Sequence, residues 1–251
     1  MQQDDSEFRA LSLIPNYQGN YFMTFDIEAA NGFFDNKVRW YDELMQPANW
    51  NNLALLSMVN VKYILASGPV NHATLEQVSA GNQRYLYRNR AALPRAFLAP
   101  EFEIVADPDQ RLARLTKQEM DFSRVVVLEE DPGISASTSP AGSVQWIAKG
   151  PDEYAVRVET PDPQILFVSN NWLPYWKAAI DGEAAPLLRA NHAFQAVAVP
   201  AGAHDVSIRY RSGPVTACTF LSLGALVLVI AAGAGSRWRG GADATPKGGA
   251  S

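Results

Sequence analysis

The chain has 251 residues, 47% of them hydrophobic, with 21 basic against 26 acidic side chains and a formal net charge of −5. That length allows one large domain or two small ones with real cores, and a mildly acidic chain without a clustered basic face argues against nucleic-acid binding. The single cysteine, Cys218, excludes an intrachain disulfide and a cysteine-rich zinc site.

The opening MQQDDSEFRA has neither a basic start nor an apolar core, so it does not read as a signal peptide. Export would depend on a later apolar segment, or on this chain being the tail of a longer protein. Lys37 to Met45 and Leu53 to Met58 read as short helices. Val61 to Ala66, Arg84 to Arg88, Arg95 to Leu98 and Arg124 to Glu129 read as strands. Between the last two, Asp107-Pro108 opens a helix through Leu112 and Leu115, with Asp as N-cap and Pro at the first helical position. Residues 1–129 are therefore expected to form a mixed α+β region.

The stretch from Glu129 to Gly142, EEDPGISASTSPAG, lacks periodicity and is rich in Ser, Pro and Gly. It marks a boundary, with a linker at 130–142. From 143 to 213 the chain alternates apolar and polar residues in short runs. Val144 to Lys149, Glu153 to Glu159, Ile165 to Ser169, Trp176 to Ile180, Phe194 to Val199 and the run around Val206, Ile208 and Tyr210 read as strands. Ile165 to Ser169 is apolar throughout, as a strand covered on both faces would be. Asp181-Gly182 is a hairpin signal of the type that needs two left-handed residues. This spacing predicts an antiparallel, jelly-roll-like β-sandwich.

Val215 to Gly235 carries no charge, and about 20 such residues cross a hydrocarbon core as a helix. Pro214 can begin that helix, and Arg237, Trp238 and Arg239 supply interfacial anchors after it. Residues 214–236 are thus expected to span a membrane, with 237–251 a disordered tail. Arg209 and Arg211 before the span nearly balance the cations after it, so charge leans only slightly towards a cytoplasmic C-terminus.

Four stretches carry a family resemblance. They are LLSMVNVKYILA (Leu55 to Ala66), LPRAFLA (Leu93 to Ala99), the series from Leu173 to Tyr210 with its Asp-Gly, Ala-Asn and Pro-Ala-Gly-x-His steps, and the single apolar run that follows. Together they resemble the C-terminal portion of the YfhO-type bacterial membrane proteins, with Tyr175 standing where that family usually has Gly before the Trp. Such proteins are similar to membrane glycosyltransferases that take sugars from polyprenyl-phosphate donors outside the membrane. The resemblance implies an extracytoplasmic C-terminal domain and membrane anchor, accessory to lipid-linked sugar transfer in cell-envelope glycan synthesis. Its partners would be the bilayer, upstream membrane helices of the same protein, and a glycan or polyprenyl-phosphate sugar. A membrane-anchored carbohydrate-binding module and a purely structural β-sandwich are the competing readings.

No phosphate-cradling glycine loop, zinc-protease pair or nucleophile elbow is present. His72, His192 and His204 lack ligand spacing and read as structural, and Glu129-Glu130-Asp131 reads as a solvated strand end. The chain alone is expected to be neither catalytic nor cofactor-bound. Contacts to a glycan or lipid phosphate are sought at Asp35, Arg39 and Asp42 on one helix side, and at Trp172 and Tyr175 as stacking surfaces. Trp176 shares the parity of Ala178 and Ile180 and is expected to plug the sandwich.

Overall fold

The computed structural model describes residues 1, 4, 6–14, 20–32, 37–116, 120–137, 139, 141–213, 218–219 and 221–230. In the first part of the chain these form strands β1 (Arg9–Ser12) and β2 (Glu28–Ala29), with helix α1 (Asn20–Met23) between them. Helices α2 (Arg39–Leu44) and α3 (Leu53–Met58) come next, followed by strands β3 (Val61–Ala66), β4 (Leu75–Gly81) and β5 (Arg84–Asn89). The five strands make one mixed sheet in the order β2-β1-β3-β5-β4, in which β1 runs parallel to both β2 and β3.

The next elements are β6 (Ala96–Ala99), β7 (Glu101–Ile104), α4 (Pro108–Leu115) and β8 (Val125–Leu128). Helix α4 starts as the sequence predicts: the Asp107 side chain accepts the Gln110 N–H and Pro108 occupies the first turn. It joins two parallel strands, β7 and β8, and an α-helix is the usual way to make that crossover.

Eight strands complete the β-rich part: β9 (Ser143–Lys149), β10 (Glu153–Thr160), β11 (Gln164–Asn171), β12 (Trp176–Ile180), β13 (Glu183–Ala185), β14 (Leu188–Ala190), β15 (Phe194–Val199) and β16 (Gly202–Tyr210). They divide between two sheets, ordered β13-β12-β16-β10-β9 and β6-β11-β15-β14-β8-β7. Val156, Val158, Val206 and Ile208 from the first meet Leu166, Val168, Val197 and Val199 from the second, which is a sandwich core. The hairpin at Asp181-Gly182 has φ of 50° and 87°, both left-handed as the dipeptide predicts.

The sandwich departs from expectation in two respects: its second sheet is mixed and not antiparallel throughout, because β7 and β8 run parallel, and its strands do not all come from 143–213. Its second sheet takes three of its six strands, β6, β7 and β8, from the region before 130–142. Segment 130–142 therefore does not separate two bodies, and Met1–Arg209 is one compact unit. The far face of that sheet, with Phe167, Phe194 and Leu188, is covered by Leu55, Leu56 and Met58 of α3 and by Leu44 of α2. This second cover explains why β11 is buried from Gln164 to Ser169 on both faces.

Tyr210–Ser251 is a second unit. Residues 221–230 are helical and exposed, with Leu221 at 72%, Leu228 at 71% and Ile230 at 62%. Among the described residues, no helix is long and apolar enough to cross a membrane. Much of the expected span, at 214–217, 220 and 231–236, lies outside the described residues, as does the tail at 237–251.

Candidate functional site

Three residues in two turns are left-handed: Asn60 (φ 66°), and Asn191 (φ 42°) with His192 (φ 71°). Asn tolerates that conformation better than most residues. Each asparagine also uses its side chain as a joint. The Asn60 amide donates to the Leu93 carbonyl at 2.8 Å, and Asn191 Oδ1 accepts the Val127 N–H at 2.8 Å. Asp181, in the hairpin, likewise receives the Asp205 N–H and lies 2.7 Å from His204 Nδ1.

Arg95, just ahead of β6, meets Glu28 of β2 and Asn170 of β11. Arg95 Nη1 lies 2.6 Å from Glu28 Oε2, while Arg9 Nε of β1 lies 2.9 Å from Glu28 Oε1. Arg95 also donates twice to Asn170 Oδ1, at 3.0 and 2.7 Å. Arg9 is fixed from behind by the carbonyls of Val59 and Ser169, at 2.8 and 2.7 Å. Burial pushes the Glu28 carboxyl up, but the charges of Arg9 and Arg95 outweigh it and hold it below its usual range. The Arg95 guanidinium is lowered, chiefly by burial and then by Arg9.

Above this floor opens a cavity of about 640 Å³, walled by Phe8, Phe25, Trp146 and Tyr154. Trp146 packs edge-on against Tyr154, and the Lys149 ammonium sits 5.0 Å from the Trp146 ring centre. The buried Tyr154 hydroxyl donates to Gln195, and burial raises its pKa. Among the lining carboxylates, Asp4 pairs with Lys62 at 2.6 Å and Glu7 with Lys149 at 2.9 Å. Burial pushes Asp4 up, yet bonds from Lys62, Ser6 and Tyr63 together bring it well below the usual carboxylate range. Asp26, at φ 55° in the turn after α1, lines the same cavity. A second cavity of about 340 Å³ shares Glu28 and includes Tyr41, Asp42 and Asn171.

The residues sought from sequence are dispersed. Asp35 lies outside the described residues. Arg39 and Asp42 share α2 but not a target, because Arg39 pairs with Glu43 at 2.7 Å and Asp42 with Lys37 at 2.8 Å. Asp42 reaches the wall of the smaller cavity. Trp172 belongs to a stack in which the Arg189 guanidinium lies 4.5 Å from its ring and 4.6 Å from that of Trp40, with Arg39 at 4.8 Å from Trp40. Its indole N–H donates to the Leu187 carbonyl, so Trp172 is built into the fold. Tyr175 is 39% exposed in the turn before β12. Trp176 is half-buried against the sandwich core and Tyr154, more open than a plug would be.

His192 is buried, with Nε2 2.9 Å from Glu43 Oε2, and Trp40 packs edge-on against its ring. Glu129, read as a solvated strand end, lies 3.0 Å from Arg189 Nε. Among the described residues, no group of three or more His, Cys, Asp or Glu is placed to hold a metal ion.

Sequence reading missed Glu28, Arg95, Trp146 and Asp26. Arg95 carried a signal, as a lone cation between Pro94 and the apolar run of β6. Glu28 and Asp26 carried none, because their meaning comes from partners far along the chain. Comparison with protein-family models, curated proteins and solved structures finds no match to this chain.

Proposed function

We propose that the chain is the extracytoplasmic C-terminal domain and membrane anchor of a YfhO-like protein, accessory to lipid-linked sugar transfer and not catalytic by itself. The observation that carries the anchor is the helix at 221–230, whose leucines, valines and isoleucine are all exposed. An apolar helix exposed in this way needs hydrocarbon or protein around it, and the charge-free sequence from Val215 to Gly235 has the length for hydrocarbon.

The family part of this reading rests on the sequence resemblance. The motif residues Asn60, Asn191, Asp181 and His204 act as joints of the fold, which gives a physical reason for those residues at those positions. The aromatic-walled cavity over Glu28 favours a domain that contacts glycan over a purely structural cap.

The test is expression of the full chain in a bacterial host beside a form ending at Gly213. The full chain is expected in alkali-washed membranes and the shortened form in the soluble fraction. Equal partition of the two forms would remove the anchor.

A further inference from the structure

We propose that the 640 Å³ cavity between the N-terminal sheet and the sandwich is a subsite for an uncharged saccharide, and that it excludes phosphate-bearing groups. The inference deepens the glycan-handling reading above and rests on it. Volume comes first: the cavity falls in the range of ordinary small-ligand sites and is open at the side of Phe25, which is 43% exposed. Its walls include the aromatic rings of Phe25 and Trp146, side chains of the kind that suit the C–H faces of a sugar ring. Its floor offers hydrogen-bonding groups held rigid from behind, the Glu28 carboxylate and the Asn170 amide. The Glu28 carboxylate keeps acceptor capacity beyond its two arginines, and a preorganised acceptor of this kind binds hydroxyls without first losing side-chain freedom.

The charge arrangement selects among ligands. Both basic side chains in the lining are engaged, Arg95 with Glu28 and Lys149 with Glu7. Lys62 and Arg9, just behind the lining, are likewise held by Asp4 and Glu28. A phosphate drawn to any of these four side chains would have to strip a cation from its carboxylate and leave that carboxylate unpaired at a partly buried position; the Met1 α-amino group, also in the lining, lies outside that cost. Asp26, the lining carboxylate with no ion pair among the described residues, adds repulsion for an anion and an acceptor for a hydroxyl. A neutral polyol meets neither penalty. The site thus fits an acceptor-type saccharide and not the phosphate end of a lipid-linked donor.

Calorimetric titration of the detergent-solubilised full chain tests this, with cellobiose and N,N′-diacetylchitobiose as neutral probes and sn-glycerol 3-phosphate and undecaprenyl phosphate as anionic ones. At least one neutral disaccharide is expected to bind, with affinity falling about tenfold in Trp146→Ala and about threefold in Asp26→Asn. Asp26 is exposed and has no ion pair among the described residues, so its variant keeps the fold if Trp146→Ala does not. Absence of binding by both disaccharides, binding that both variants leave unchanged, or displacement of the disaccharide by either phosphate would overturn the assignment. Membrane retention is scored on the same preparations. Lost saccharide binding with retention intact removes only the subsite, whereas saccharide binding by a chain that does not partition to membranes removes only the anchor.

Discussion

His192 and Glu43 are 149 residues apart in sequence, and their side chains meet at 2.9 Å with the imidazole almost wholly buried. A neutral imidazole donating from Nε2 satisfies the carboxylate and leaves Nδ1, which has no hydrogen-bond partner, as an unprotonated nitrogen. Burial lowers the His192 pKa, the Glu43 hydrogen bond opposes that, and the nearby charges of Arg111 and Arg189 reinforce it.

The pH dependence follows from that direction. A folded-state pKa below the ordinary 6.5 means the unfolded chain binds the extra proton first as pH falls. The stability contribution is therefore present above pH 6.5 and is lost as pH falls through the depressed value. His204 has the opposite sign: its bonds to Asp181 and Ala201 raise its pKa, so its contribution is complete below 6.5 and fades as pH rises through the raised value. Thermal melts between pH 5 and pH 8 are expected to show both. His192→Asn should flatten the acid side and His204→Asn the alkaline side. Identical profiles for the two variants would contradict the assignments.

Arg95 binds Asn170 and Glu28 through different edges of its guanidinium. Replacing it by Lys keeps the charge but loses the fork. Both Arg95→Lys and Arg95→Ala are expected to destabilise by about 1–3 kcal/mol, the cost of leaving hydrogen-bonding partners unsatisfied. Urea unfolding measures this, and a Lys variant as stable as the wild type would show that position 95 needs only charge.

Gly142, exposed at the end of segment 130–142, is closely approached by Leu98 and Glu159 where a side chain would begin. A Cβ there would lie 2.5 Å from Leu98 Cδ1 and 2.9 Å from the Glu159 carbonyl oxygen, at φ 153°. Gly142→Ala is expected to cost about 1–3 kcal/mol by overpacking, whereas Gly133→Ala meets only the strain of its own φ of 73°. Chemical denaturation of the pair reads the difference, and a smaller loss at 142 than at 133 would count against the contact.

Trp176 and Trp172 are both half-buried, one against Tyr154 and the sandwich core, the other against Arg189. Trp176→Ala is expected to cost about 2–4 kcal/mol, overlapping the lower part of the range for a fully buried aromatic. Trp172→Ala loses one hydrogen bond and one cation–π contact, about 1–2 kcal/mol. Comparing their melting temperatures checks the order.

On the proposed reading the sandwich is expected outside the membrane and Ser251 inside. Ser135 is exposed, while Ser137 is buried and bonded to Asp162, so Ser135→Cys is the informative probe. In a Cys218→Ala background, a membrane-impermeant thiol reagent should label Cys at 135 and not at 251. The reverse pattern would invert the topology.

The sequence by itself determined the local elements. Strand alternation at Glu153–Thr160, the Asp-Gly hairpin and the capped helix Pro108–Leu115 rest on neighbours within a few residues, and their signals are periodic or positional. It also determined the apolar run after Pro214, because a charge-free length is a property of composition. Tertiary structure decided what spans the chain: the recruitment of β6, β7 and β8 into the sandwich, the His192–Glu43 pair, and the cavity over Glu28. Glu28 is one surface-type acidic residue among 26 until two arginines, one 19 and one 67 residues away, close on it. No local pattern encodes that meeting, since it follows from how three sheets bury their apolar faces together.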